Sequence, residues 1–117
     1  MYWCLNFVCE PRGSAGCVLI RAVEPVCGIA LMERRRGEVR TVQDLASGPG
    51  KLTVALGITD ERNAADLVRG PLRLRQPKSA DELEIAVTPR IGIRHNADWP
   101  LRFVIAGSRY ASRPRTI

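Results

Sequence analysis

The sequence predicts an α+β fold: a largely antiparallel sheet accompanied by short helices. Three observations predict it. Segments with strand character outnumber segments with helical spacing. The helical segments are short. Ten glycines and eight prolines punctuate the chain at close intervals, which favours hairpins over long helices. The 117 residues are enough for one domain and too few for two. A hydrophobic fraction of 45% gives a modest core.

From the N-terminus, Met1 to Cys9 reads as a strand, rich in aromatic and β-branched residues. Pro11, Gly13, Ser14 and Gly16 form a turn. Cys17 to Val23 is a second apolar run, so the pair makes a hairpin. Arg21 interrupts that run, and an arginine there is expensive to bury unless paired. Glu24-Pro25 breaks the strand. Val26 to Arg36 has helical spacing and ends in Arg34, Arg35 and Arg36. Cations suit a last helical turn, so this triplet is either a solvated helix end or a phosphate contact.

Thr41 to Ser47 is polar, with Leu45 as its apolar anchor. Ser47-Gly48-Pro49-Gly50-Lys51 then runs into a short helical pattern over Leu52 to Leu56. Amides at such a helix start can hold a phosphate. The spacing is not that of a Walker A loop, and most Gly-Pro-Gly turns are only turns. Asp60 to Asn63 is a polar turn, Ala64 to Val68 a helical turn, and Leu72 to Leu74 the start of a strand. Gln76 to Asp81 is a loop. Leu83 to Val87 and Leu101 to Ile105 are strands. Ile91 to Ile93 is a strand or turn, His95 to Pro100 a polar connection, and Tyr110 to Ile117 a basic tail. No internal repeat is present.

The formal net charge is +6, and only Lys51 and Lys78 of the 18 basic residues are lysines. Arginine's planar fork suits phosphate, so nucleic acid or another polyanion is an expected partner. An arginine-rich solvated surface accounts for the same charge. The low aromatic fraction of 5% weighs against a single-strand RNA binder, which interleaves aromatics with its cations. Cys4, Cys9, Cys17 and Cys27 match no common zinc spacing, and no signal peptide supports disulfides. They read as reduced and mostly buried. No apolar run nears the ~20 residues of a membrane span.

A search for reaction chemistry finds little. His95, the one histidine, lies in a polar loop. Glu10 and Glu24 stand at strand ends beside prolines, where a capping role competes with acid/base work. No carboxylates cluster at metal-site spacing. Residues alone stop at a basic α+β domain that binds a polyanion.

Four segments go further. They are Met1-Tyr2-Trp3-Cys4-Leu5-Asn6; Val18 to Pro25, continuing through Gly28 and Ile29 to Met32; Leu45 to Ile58, with its Ser-Gly-Pro-Gly-Lys-Leu and Ala-Leu-Gly-Ile; and Thr88 to Ile93 with Pro100 to Phe103. In this order they resemble the 3-methyladenine (alkyladenine) DNA glycosylase family over nearly the whole chain. The resemblance implies a monofunctional base-excision repair enzyme without metal or other cofactor. Such an enzyme flips a damaged purine, such as 3-methyladenine or hypoxanthine, out of double-stranded DNA. A glutamate activates the water that cleaves the N-glycosidic bond.

The resemblance also implies roles. Arg21 matches the arginine beside the attacking water, and Ile91 the residue whose carbonyl holds that water. Asn6 matches the pocket asparagine that clashes with the guanine amino group, and Leu19 a pocket wall. A plain strand role fits Asn6 and Leu19 as well. Met1 and Tyr2 match residues facing the minor groove. Lys51, with the amides of Ser47, Gly48 and Gly50, matches a phosphate site, and Arg36 is a weaker phosphate candidate.

The family's catalytic glutamate, its base-stacking residues and its wedge tyrosine lie upstream of the segment matched by Met1. The expectation is a single, partial domain over residues 1–117. It would be an incomplete version of the glycosylase fold, about the C-terminal 55–60% of it. Two functions follow: a glycosylase realised in a longer chain, or a truncated, inactive fragment that only binds DNA. A monomer is expected, in the cytoplasm with the nucleoid or in a nucleus, and not secreted or in a membrane.

Overall fold

The computed structural model describes residues 1–79 and 82–113. Its elements are β1 (Asn6–Val8), β2 (Cys17–Leu19), α1 (Ile29–Arg36), α2 (Pro49–Leu56), β3 (Ile85–Thr88) and β4 (Arg102–Ile105). Short 3-10 turns lie at Val42–Asp44 and Asp60–Arg62. The fold is α+β, and its pairings are antiparallel. The strands form two separate two-stranded sheets, β1-β2 and β3-β4. The predicted first hairpin is present, with Asn6 opposite Leu19, and the two later strands pair with each other as well, with Thr88 opposite Arg102.

The expected strand over Met1 to Cys9 shortens to three residues for a visible reason. The Thr53 hydroxyl donates to the Trp3 carbonyl at 3.0 Å, which docks the first residues on α2. Pairing begins only where Ile20 N–H reaches the Leu5 carbonyl, at 2.9 Å. The helix expected from Val26 starts at Ile29, because Gly28 takes a left-handed φ of 74° just before it.

α2 has an informative beginning and end. Gly48 is its extended N-cap and Pro49 its first residue, where a missing N–H costs nothing. At its end Gly57 adopts a left-handed φ of 65°. Ile58 N–H then reaches Thr53 O at 2.8 Å and Gly57 N–H reaches Val54 O at 3.1 Å. This is the Schellman pattern, and it satisfies carbonyls that the helix leaves open.

The core sits between the helices. Met32, Leu45, Ala46, Leu52 and Ala55 are buried together, with Leu5, Ile20 and Val23 of the first hairpin packed against them. Leu45 anchors its polar segment as the sequence predicts.

Four expectations need correction. The cysteines are free, but all four are exposed, because the hairpin that carries most of them has little packed over it. Leu72 to Leu74 forms no strand; Leu74 N–H bonds the Leu67 carbonyl at 2.9 Å and closes a loop. Ala64 to Val68 is not helical either. The turn lies further on, where Gly70 N–H meets the Asp66 carbonyl at 2.8 Å and the Asp66 carboxylate accepts from Val68 N–H, also at 2.8 Å. The tail is not all surface, since Ala111 and Ser112 are buried; residues 114–117 lie outside the described residues. Among the described residues no helix is long and apolar enough to cross a membrane.

Candidate active site and nucleic-acid interface

Two clusters hold most of the residues singled out by sequence. The first is the start of α2. A helix N-terminus leaves amides without acceptors, here those of Gly50 and Lys51, because Pro49 has none and Leu52 N–H already bonds Gly48 O at 2.9 Å. The Tyr2 ring lies directly on Gly50: a Cβ added there would come within 2.6 Å of the ring. Any larger residue would have to push the ring aside. Lys51 is exposed, and its stem runs past Gly48. Met1 and Tyr2 are exposed beside this helix start. Ser47 and Gly48 are buried, so the accessible part of the loop begins at Pro49.

Arg36 is engaged elsewhere. Its Nε donates to the Leu45 carbonyl at 2.9 Å and its Nη2 to the Asp44 carbonyl at 3.3 Å. Arg35 donates to the Ala55 carbonyl at 3.1 Å, where a cation favours the C-terminal end of α2. Two of the three arginines in the triplet therefore bind carbonyls of this chain.

The second cluster is a groove of about 670 Å³ between the β2 side of one hairpin and the β4 side of the other. Leu19, Arg21 and Ile91 line it together, with Arg90 and Arg102. Gly92 turns at a φ of 72° beside Arg21, so the Ile91-Gly92 bend sits against the guanidinium. The Arg21 Nε is buried without a hydrogen-bond partner among the described residues. Burial, then repulsion from Arg102, lowers the pKa of Arg21; a smaller attraction to Cys4 opposes them.

Arg102 escaped notice in the sequence. It is 6% exposed, donates Nη1 to Thr88 Oγ1 at 3.1 Å and Nη2 to the Ser112 carbonyl at 2.9 Å. The signal was available: like Arg21, it interrupts an apolar strand.

Asn6 stands directly across the ladder from Leu19, and its Oδ1 accepts from the Cys17 thiol at 3.6 Å. It lines a different groove of about 580 Å³, with Trp3, Phe7, Ile58 and Leu72. Both clusters hang on one stretch of backbone. Two residues after Arg21, Val23 N–H bonds the Ala46 carbonyl at 3.1 Å, next to the loop that starts α2. Among the described residues no group of three or more His, Cys, Asp or Glu side chains is placed to hold a metal ion.

Fold and site together define a basic α+β chain with an open helix start beside a groove that holds arginines. The methylpurine-DNA glycosylase family model matches residues 1–109. The chain belongs to the methylpurine-DNA glycosylase family. It is 50% identical over 114 residues to a protein of Bradyrhizobium diazoefficiens named "Putative 3-methyladenine DNA glycosylase", covering 97% of this chain and 56% of that one. A protein of Methanoculleus marisnigri with the same name is 49% identical, with 97% and 60% covered. One of Rhizobium etli is 53% identical, with 97% and 54% covered. The chain thus spans a little over half the length of these curated relatives.

Proposed function

We propose that this chain acts, as one domain over residues 1–117, in the excision of alkylated or deaminated purines from double-stranded DNA. The observation that carries this reading is the meeting of Arg21 and Ile91, distant in sequence, in one groove. There the Arg21 guanidinium and the Ile91 carbonyl orient the water that attacks the glycosidic carbon. Leu19 lines the pocket for the flipped base, and Asn6, opposite Leu19 on the ladder and lining the neighbouring groove, disfavours the amino group of guanine. Met1 and Tyr2 lie against the minor groove. The open Gly50 and Lys51 amides with the Lys51 ammonium hold a phosphate, the buried Ser47 and Gly48 backbone shapes the loop behind them, and Arg36 supports that loop through the carbonyls it already binds. The partner is duplex DNA within the cell, the chain is a monomer, and no cofactor takes part.

A second reading concerns the 117 residues by themselves. An arginine holds a water but does not accept its proton. The one carboxylate that lines the groove among the described residues is Glu24, which is exposed. On this reading the chain alone binds duplex DNA without releasing a base. Incubation with a duplex containing hypoxanthine should give no base above a protein-free control, and release would overturn this reading. Duplex binding should weaken as salt rises, because each phosphate contact releases counterions. Binding indifferent to salt would remove the phosphate assignment.

A further inference from the structure

One buried hydroxyl joins the two stretches of chain that the proposed function sets against DNA. Thr53 is 1% exposed in the middle of α2. A β-branched residue is a poor helix former and a buried hydroxyl needs a partner, so a threonine in this place calls for a reason. Its Oγ1 lies 3.0 Å from the Gly50 carbonyl and 3.0 Å from the Trp3 carbonyl. The first contact is the ordinary bond of a helical threonine back to the preceding turn. The second reaches a carbonyl 50 residues away in sequence. The hydroxyl has one hydrogen, which the two carbonyls share.

That second contact fixes the backbone beside Tyr2. The Tyr2 side chain crosses Gly50 so closely that an added Cβ would stand 2.6 Å from its Cγ, 2.9 Å from its Cδ1 and 3.0 Å from its Cβ. Yet Tyr2 is 73% exposed. The apolar area it buries is too small to hold the ring in place. The bond from Thr53 to the carbonyl one residue on supplies what the ring's own packing does not, and the outer face of the ring stays free. Gly50 thereby serves twice. Its Cα supports the ring, and its N–H is one of the open amides at the start of α2. The exposed Lys51 follows it directly.

We infer that Thr53 is a positioning residue for duplex binding: through the Trp3 carbonyl it holds the Tyr2 ring over Gly50, at a fixed distance from the phosphate donors of Gly50 and Lys51. The minor-groove contact and the phosphate contact are then made as one unit. No loose aromatic side chain has to be ordered when DNA arrives, so that cost is removed from binding. The inference rests on the duplex-DNA reading above and adds to it a residue that touches no DNA.

Nuclear magnetic resonance and duplex titration of the 117-residue chain test it. In the free chain the Tyr2 ring protons should show a nuclear Overhauser effect to the Gly50 Hα protons. Thr53→Val keeps the buried volume and removes the hydroxyl, so it should abolish that effect. It should also lower duplex affinity about fivefold or more, with the slope of log affinity against log salt unchanged because no phosphate contact is lost. Thr53→Ser keeps the hydroxyl and opens a small cavity, so it should bind like the unsubstituted chain although its urea midpoint falls. Tyr2→Ala should lower affinity about fivefold in the unsubstituted chain and less than about twofold in the Thr53→Val background, where the ring is already loose. Gly50→Ala places a better helix former under the ring, so the urea midpoint should hold or rise while affinity falls as in Thr53→Val. An intact Tyr2–Gly50 effect in Thr53→Val, additive losses from Tyr2→Ala and Thr53→Val, or affinities that follow the urea midpoint and not the hydroxyl overturn the inference alone. Absence of salt-dependent duplex binding by the unsubstituted chain overturns the reading beneath it, and the inference with it.

Discussion

The helical half and the strand half of this molecule solve the problem of apolar surface in opposite ways. α1, α2 and the segment around Leu45 close a core of their own, with Leu52 and Ala55 at 0% exposure. The helix ends there are capped from within, by Gly57 and by the guanidinium of Arg35. The two hairpins instead leave Val8, Val18, Val87 and Phe103 exposed, and they face each other across an open groove. Helices satisfy their backbone internally, whereas a two-stranded sheet always keeps two open edges. The part that holds itself together therefore carries the phosphate-type helix start, and the part that does not carries Arg21.

The largest expected effect tests this contrast directly. Leu52→Ala removes a fully buried side chain and should cost about 2–5 kcal/mol of unfolding free energy in urea. Phe103→Ala removes a larger side chain that is 65% exposed and should cost about 0.5 kcal/mol or less. Equal losses would show that the strand half has a core of its own and would break the comparison.

Within the strand half, Arg102 is the exception. It is buried and donates to Thr88 Oγ1 and the Ser112 carbonyl, so it ties the second hairpin to the chain that follows it. Arg102→Met leaves those acceptors unsatisfied and should destabilise by about 1–3 kcal/mol. A neutral result would mean that the hairpin and residues 111–113 do not depend on each other.

How much of this was legible in the sequence follows from which forces are local. Turn chemistry is local, so Gly13 announced the first hairpin, and the helical pattern over Leu52 to Leu56 reached the end of α2 but left its first turn, from Pro49, in the loop. Leu45, the apolar anchor of a largely polar stretch, announced its own burial. Burial of a strand face is not local. Cys9, Cys17 and their neighbours are apolar enough to be buried, but nothing in their spacing says whether another segment covers them. Leu72 to Leu74 has strand composition, yet a strand needs a partner, and Leu74 instead bonds back to Leu67. Arg21 was legible as an expensive arginine, while its approach to Ile91 came from family resemblance, because periodicity cannot join distant segments. Arg36 shows the limit of charge reading: its sign suited phosphate, and its guanidinium is engaged by carbonyls.

That limit gives a sharper test of the helix start. Lys51→Ala removes an exposed cation beside the α2 amides. It should leave stability within about 0.5 kcal/mol. It should weaken duplex binding and reduce the slope of log affinity against log salt by about 0.9, the value for one phosphate on B-form DNA. Arg36→Met should do the reverse, costing about 1 kcal/mol of stability through the Asp44 and Leu45 carbonyls with little change in slope. If Arg36→Met changed the slope as Lys51→Ala is expected to, the triplet would belong to the interface after all.

The smallest expected effect concerns Arg21, and its sign is the informative part. Burial, then the nearby Arg102, lowers its pKa in the folded chain. A cation with a lowered folded pKa favours unfolding while it is charged, and that penalty disappears only as pH rises through the folded value. Arginine stays charged across the neutral range, so Arg21 should add no pH dependence to stability between about pH 5 and pH 9. Arg21→Met removes the penalty at every one of those pH values. Because the side chain is partly in contact with solvent, the gain should be only about 0.5 kcal/mol or less, read as a small rise in the urea midpoint. Arg102→Met and Arg21→Met would then move stability in opposite directions from adjacent positions in one groove. A loss of stability in Arg21→Met would mean that the guanidinium already has a partner within this chain, and the strand half would be more self-sufficient than its open edges indicate.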